Sequence, residues 1–277
     1  MEKQEEQEEH IKHHYVPQCY QRRFSTDKVS VKYFNKDTQE LCSEKIKNFC
    51  QIEYLYYLEQ DENHYSLEVD FFSQVIEDKL GKLLKSFDEI YGANHIIPFN
   101  KDRKKAVAKQ IVLQYMRTPT YRNIRYKNET QADLYQISVL LEQIGFEAEE
   151  LGFSSDRREF HKRRLYDESE ISEIVEEIVD AQWELLYTNN SEFYTSDNPV
   201  VIKARIDMPV TYCDAIKYFN EIYFPLNPHL LLHIIDKQAD NNKHIAVQTI
   251  EQNKVSEINN IIKNKAPHYI LYQNSYY

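Results

Sequence analysis

Hydrophobic and polar positions change period along the chain. Val29-Ser30-Val31-Lys32-Tyr33-Phe34 alternates, Asn35-Lys36-Asp37-Thr38 supplies turn residues, and Gln39 to Cys42 can return beside it, so a hairpin is predicted. Tyr54 to Leu58 is a further aromatic strand candidate. From Tyr65 to Phe87 the spacing is helical, with Leu67, Phe71, Val75, Leu80, Leu83 and Leu84 on one face. Asn100 suits the N-cap of a helix running from Lys101 through Ile111 to Met116. Pro119 then forces a kink or a fresh helix start capped by Thr118.

Further helices are predicted over Thr130–Glu149 and Ser169–Leu186, joined by a loop over Gly152–Arg164. Beyond Asn190 the pattern turns strand-like. Phe193–Thr195 and Val200–Ile202 flank Ser196-Asp197-Asn198-Pro199, while Ile222–Phe224 and Leu230–Ile235 flank Pro225-Leu226-Asn227-Pro228. A helix over Glu251–Lys263 and a strand over His268–Tyr272 close the chain. The fold class expected is α+β, with a helical central region packed against antiparallel β elements from both ends. An acidic tail over 1–10 precedes a single domain over 11–277, whose sub-regions are β-rich (11–60), helical (61–190) and β-rich (191–277).

With 277 residues the chain can bury a large core without disulfide or metal staples. Four glycines and the lack of GxGxxG or GxxxxGK[ST] argue against a nucleotide cofactor. The first residues are charged, and no apolar run reaches the ~18 residues of a membrane span, so a cytoplasmic protein with no membrane partner is expected. Cysteines 19, 42, 50 and 213 show no metal-finger spacing.

The net charge of −11 disfavours non-specific nucleic-acid binding, but its distribution is uneven. Basic residues crowd segments 101–127 and 157–164, which could meet nucleic acid or a nucleotide, or could simply pair with neighbouring acids.

Candidate chemistry begins at Lys12-His13-His14-Tyr15-Val16-Pro17-Gln18. Adjacent histidines could bind a metal or move protons; Pro17 favours an extended arm, in which His13 and His14 point to opposite faces. An HNH nuclease module is disfavoured, because Asn35 and His64 lie too far downstream for a compact ββα unit. Gln110, Gln114 and Arg117 share one helical face, with Arg122 following the proline; Arg suits a phosphate, and Gln a polar substrate or water.

Glu68 and Glu77 are nine residues apart and lie on opposite sides of their helix, so at most one faces a cleft; Glu77, flanked by the apolar Val75, Ile76 and Leu80, is the better inward carboxylate. Asp197 could be a base or, with His14, a metal ligand, and Ser196 and Asn198 could contact substrate; an Asx turn bonded to backbone is the plainer alternative. Ser196 lacks the GxSxG context of a hydrolase nucleophile.

Four motifs in this order, His13–Gln18 with its tail to Phe24, Arg117-Thr118-Pro119 with Arg122, Thr195–Val200 and Phe224–Pro228, closely resemble the family catalogued as domain of unknown function 4238. The resemblance runs from about Ile11 to Tyr272, departs at Cys19-Tyr20-Gln21, and implies no particular activity. Residue chemistry alone points to a hydrolase of phosphodiesters, a nuclease or nucleotide hydrolase assisted by divalent Mg or Mn, for which bacterial defence or a toxin-like setting is the expected context, with His13, His14, Asp197 and Glu77 as candidate catalytic groups. A non-catalytic module recognising an anionic ligand or a protein partner is the alternative.

Overall fold

A computed structural model describes residues 12–56, 77–88, 96–123, 157–205, 215–238 and 244–276. The expectations for the acidic tail, Glu68, the helix over 130–149, Cys213 and most of the helix starting at Tyr65 lie outside the described residues.

The architecture is α+β, and its largest sheet is built from β5 (Ile96–Pro98), β6 (Ala181–Tyr187), β8 (Val201–Ala204), β9 (Phe219–Asn227), β10 (Leu230–Gln238) and β11 (His244–Thr249). Their order is β5-β11-β6-β10-β9-β8, antiparallel except for the parallel β11–β6 pair. The central strand β10 buries Leu230, Leu231, Leu232 and Ile234 on both faces, as a strand covered on both sides must. Pro225 and Leu226, expected in a connection, belong to β9. Pro225 is tolerated because the register shifts between Leu230 and Leu231, a bulge that removes the need for a regular ladder there.

A second sheet orders β3 (Glu40–Lys45), β2 (Ser30–Asn35), β12 (Tyr269–Tyr272) and β7 (Thr195–Ser196). Its β2–β3 hairpin is the expected one: the Asn35 side chain accepts from the Asp37 amide at 2.9 Å, and Gln39 takes a left-handed φ of 60°. A short ladder joins β1 (Lys12–His14) to β4 (Gln51–Glu53), pairing His13 with Ile52 and His14 with Gln51. The chain turns at Tyr54, with φ of 56°, where a strand was expected to begin.

The helices are α1 (Gln18–Gln21), α2 (Asp78–Asp88), α3 (Lys101–Met116), α4 (Arg157–Leu165), α5 (Glu168–Asp180) and α6 (Gln252–Lys265). Asn100 caps α3 by accepting from the Arg103 amide, as its sequence signature predicts. A new helical turn starts at Pro119, where Thr118 Oγ1 accepts from the Tyr121 amide at 3.3 Å. Two expectations are corrected. Part of the 152–164 loop is α4, anchored by burial of His161 and Leu165 at i and i+4. The helix expected over 169–186 stops at Asp180, because Ala181–Tyr187 finds two strand partners, β10 and β11; pairing outweighs local propensity.

One core joins α3, α5 and a face of the large sheet, and a second lies between that sheet, α6 and Ile270 and Tyr272 of β12. Helix α3 is buried all round from Gln110 to Met116, so its polar residues sit inside the protein. No helix among the described residues is long and apolar enough to cross a membrane.

Candidate functional site

The N-terminal arm reaches the core because its backbone is paired on both edges. β1 bonds to β4, the Tyr15 amide donates to Cys50 O, and the Gln114 amide group donates to Tyr15 O at 3.0 Å. Fully buried Gln21 ties the arm's end, donating to Val16 O and Phe49 O. This is the local role of the Cys19-Tyr20-Gln21 departure; Tyr20 meanwhile bonds Thr195 and Pro225 O, each at 2.7 Å.

The two histidines divide as the extended geometry requires. His13 is fully buried, stacks on Tyr56 with 5.5 Å between ring centroids, and its Nδ1 accepts from the Tyr56 amide at 2.8 Å. His14 faces the other way, and its Nε2 is buried without a hydrogen-bond partner. Burial first, then the neighbouring Arg117 charge, pulls its pKa down to about 4 against the backbone at Ile46 and Lys47. The imidazole is therefore neutral at physiological pH.

Arg117 follows the last residue of α3 and is entirely buried. Its Nη2 donates both to His14 O and to Glu77 Oε1, the latter at 3.1 Å. Glu77, at the start of α2, keeps 26% of its side chain exposed and so marks an approach from solvent. Tyr56 OH donates to Arg117 O, and Arg122 donates to Leu55 O, both at 2.9 Å. His13, His14, Glu77, Gln114, Arg117 and Arg122 are thus brought together where the arm, α2, α3 and the following turn meet.

His161 is a further member of the cluster that the sequence did not single out. Its Nε2 donates to Met116 O at 2.8 Å, leaving buried Nδ1 as an unbonded lone pair. Burial, reinforced by Arg122 and Arg117, lowers its pKa to about 3. The signal was one histidine four residues before a leucine inside the basic run, which a loop assignment conceals. Gln110 and Gln114 likewise each leave a buried Oε1 without a partner.

The Ser196-Asp197-Asn198 turn is differently arranged. Ser196 Oγ donates to Asn198 O at 2.8 Å and accepts from the Asn198 amide at 3.1 Å. The Asp197 carboxylate accepts from the His268 and Tyr269 amides at 3.2 Å, and burial raises its pKa to about 6 against those bonds. Tyr15 and Cys50 face it electrostatically. Among the described residues no hydrogen bond or ion pair joins Asp197 to His14, Glu77 or Arg117, and no group of three or more His, Cys, Asp or Glu is placed to hold a metal ion.

The basic stripe of α3 meets acids. Lys101 and Lys105 pair with Glu176, Lys109 pairs with Glu168, and in α4 Arg164 pairs with Glu170. Lys104 is buried over Trp183, and burial lowers its pKa to about 8. A second polar cluster, also overlooked in the sequence, sits on the large sheet: His233 bridges Glu184 and Glu221 from β6 and β9, at 3.4 and 3.1 Å.

The family model described as "Protein of unknown function (DUF4238)" matches residues 12–275, so the chain belongs to that family. No curated protein and no solved structure matches it.

Proposed function

We propose that this family member is a phosphodiester hydrolase whose reaction centre is His14, Glu77 and Arg117. One observation carries the reading: a neutral, buried imidazole whose Nε2 makes no hydrogen bond stands beside a buried guanidinium that is held by a carboxylate reaching solvent. A neutral imidazole can take a proton from water, and a guanidinium opposes the charge that builds on phosphate oxygens during attack. Glu77 orients Arg117, Gln114 Oε1 accepts from the attacking water, and Arg122 adds a second positive charge. His13 has a positioning role, because its Nδ1 is already bonded to Tyr56.

The divalent Mg or Mn ion belongs to this reading as a substrate-borne partner. Such ions are commonly held by one or two carboxylates plus phosphate oxygens and water, which suits Glu77 better than a His14–Asp197 pair. Because the surface lysines of α3 pair with α5, the substrate class is a nucleotide or a nucleic-acid end rather than a long duplex. A defence or toxin-like role would follow from such an activity.

The test is hydrolysis of bis(p-nitrophenyl) phosphate and of dinucleotides with Mg²⁺ or Mn²⁺ added. His14→Ala is expected to lower turnover by about 10²–10⁴-fold, the range for loss of a general base. Absence of turnover with every substrate, or an unimpaired His14→Ala variant, rejects the proposal.

A second reading, a non-catalytic module for an anionic ligand, is favoured by the number of bonds the cluster makes to main-chain carbonyls at 14, 15, 55, 116 and 117. Thermal stabilisation by nucleotides that persists in His14→Ala without turnover would select it.

A further inference from the structure

The cleft between residues 190–194, α6 and the Asn274–Ser275 segment lies apart from the cluster around Arg117 and encloses about 380 Å³, within the range of small-ligand pockets. Its walls carry amide and hydroxyl groups, among them Asn190, Ser191, Gln252, Ser256 and Asn260, above a floor formed partly by buried Val255 and Tyr194. Its two charged members are of opposite sign. Glu192 is engaged by the Asn274 backbone amide at 3.0 Å and by the Asn274 side chain, while the Lys263 ammonium sits 4.7 Å from the centroid of the Tyr276 ring. The lining therefore offers no net charge to a phosphate or carboxylate.

The frame of the cleft is preorganised. Asn259 accepts from the Tyr194 amide at 2.9 Å and donates to Glu192 O at 2.8 Å, fixing the 190–194 segment against α6. Amides and hydroxyls carry donors and acceptors side by side, which matches the adjacent hydroxyls of a sugar and suits neither an ion nor an apolar ligand. From these observations together we infer that the cleft is a binding site for a neutral sugar ring. The inference does not rest on the hydrolase reading.

Saturation-transfer NMR on the full chain, without added metal, tests it with the methyl glycosides of glucose, galactose, mannose and N-acetylglucosamine, and with adenosine and uridine as a separate arm. Transfer to the ring protons of at least one glycoside is expected, and Gln252→Ala/Asn260→Ala should weaken its binding by about tenfold or more. Both substituted residues are exposed, so the thermal midpoint should be retained; if it is not, Asn190→Ala serves as the second variant. No transfer to any glycoside, transfer indifferent to these substitutions, or binding confined to nucleosides through their bases would overturn the inference.

Discussion

Around Arg117 and around Asp197 the protein buries the same kinds of group, and the sequence marks both places with motifs of similar prominence. Their polar atoms meet different fates. At the turn, Ser196 closes on Asn198 and Asp197 is satisfied by two backbone amides of the strand it faces. At the cluster, Arg117 holds the arm and Glu77, yet His14 Nε2, His161 Nδ1 and the Oε1 atoms of Gln110 and Gln114 stay buried without partners. Burying such atoms costs free energy, and their concentration at the cluster makes it the first place to test for chemistry.

The largest effect separating the two regions should come from Arg117→Met. Breaking the pair at Arg117 removes charge-assisted bonds worth about 1.5–3 kcal/mol each, and Glu77, being partly hydrated, adds little further penalty. Here the substitution also strips a donor from His14 O, loosening the arm. Urea unfolding should show a markedly lower midpoint for Arg117→Met than for Glu77→Gln, whose side chain is partly hydrated already. Equal losses would mean that Arg117 is not the keystone of the cluster.

Acid should act on the two regions with opposite signs. His14 titrates near 4 when folded and ordinarily near 6.5, so the unfolded chain binds its proton first, and stability falls as pH drops from about 6.5 to 4. The integrated loss is on the order of 3 kcal/mol, and His161 adds to it in the same direction. Asp197 titrates near 6 when folded against an ordinary 3.8, so the folded chain binds its proton first and gains stability as pH drops through that window. In pH-stepped urea titrations His14→Gln should flatten the acid loss, and Asp197→Asn should steepen it. Parallel changes in both variants would dissolve the distinction between the regions.

Much of this was legible in the sequence where local rules govern. The Asn100 cap, the restart at Pro119, the Asn35 turn and the opposed directions of His13 and His14 each follow from geometry within a few residues. Ala181–Leu186 reads as helix in the sequence because the partners of this strand, β10 and β11, lie 43 to 62 residues away, and helix α4 reads as loop because its anchors are only His161 and Leu165. The face of Gln110, Gln114 and Arg117 was visible, but not that α3 is enclosed on all sides. That enclosure turns an ordinary polar face into an interior one. The pairing of Arg117 with Glu77 likewise depends on packing between helices forty residues apart.

The smallest expected effect bears most directly on what the turn is for. In Ser196→Ala the Asn198 amide loses its acceptor and Asn198 O loses a donor, inside a buried turn, which should cost about 1–3 kcal/mol of stability. If the turn is architecture, phosphodiester turnover by the folded fraction should remain at the wild-type level, while His14→Ala loses turnover. A nucleophilic serine would give the reverse: turnover abolished at little cost in stability. Measuring both quantities on both variants therefore decides whether Ser196 belongs with Arg117 or with the scaffold that holds β7 and β12 together.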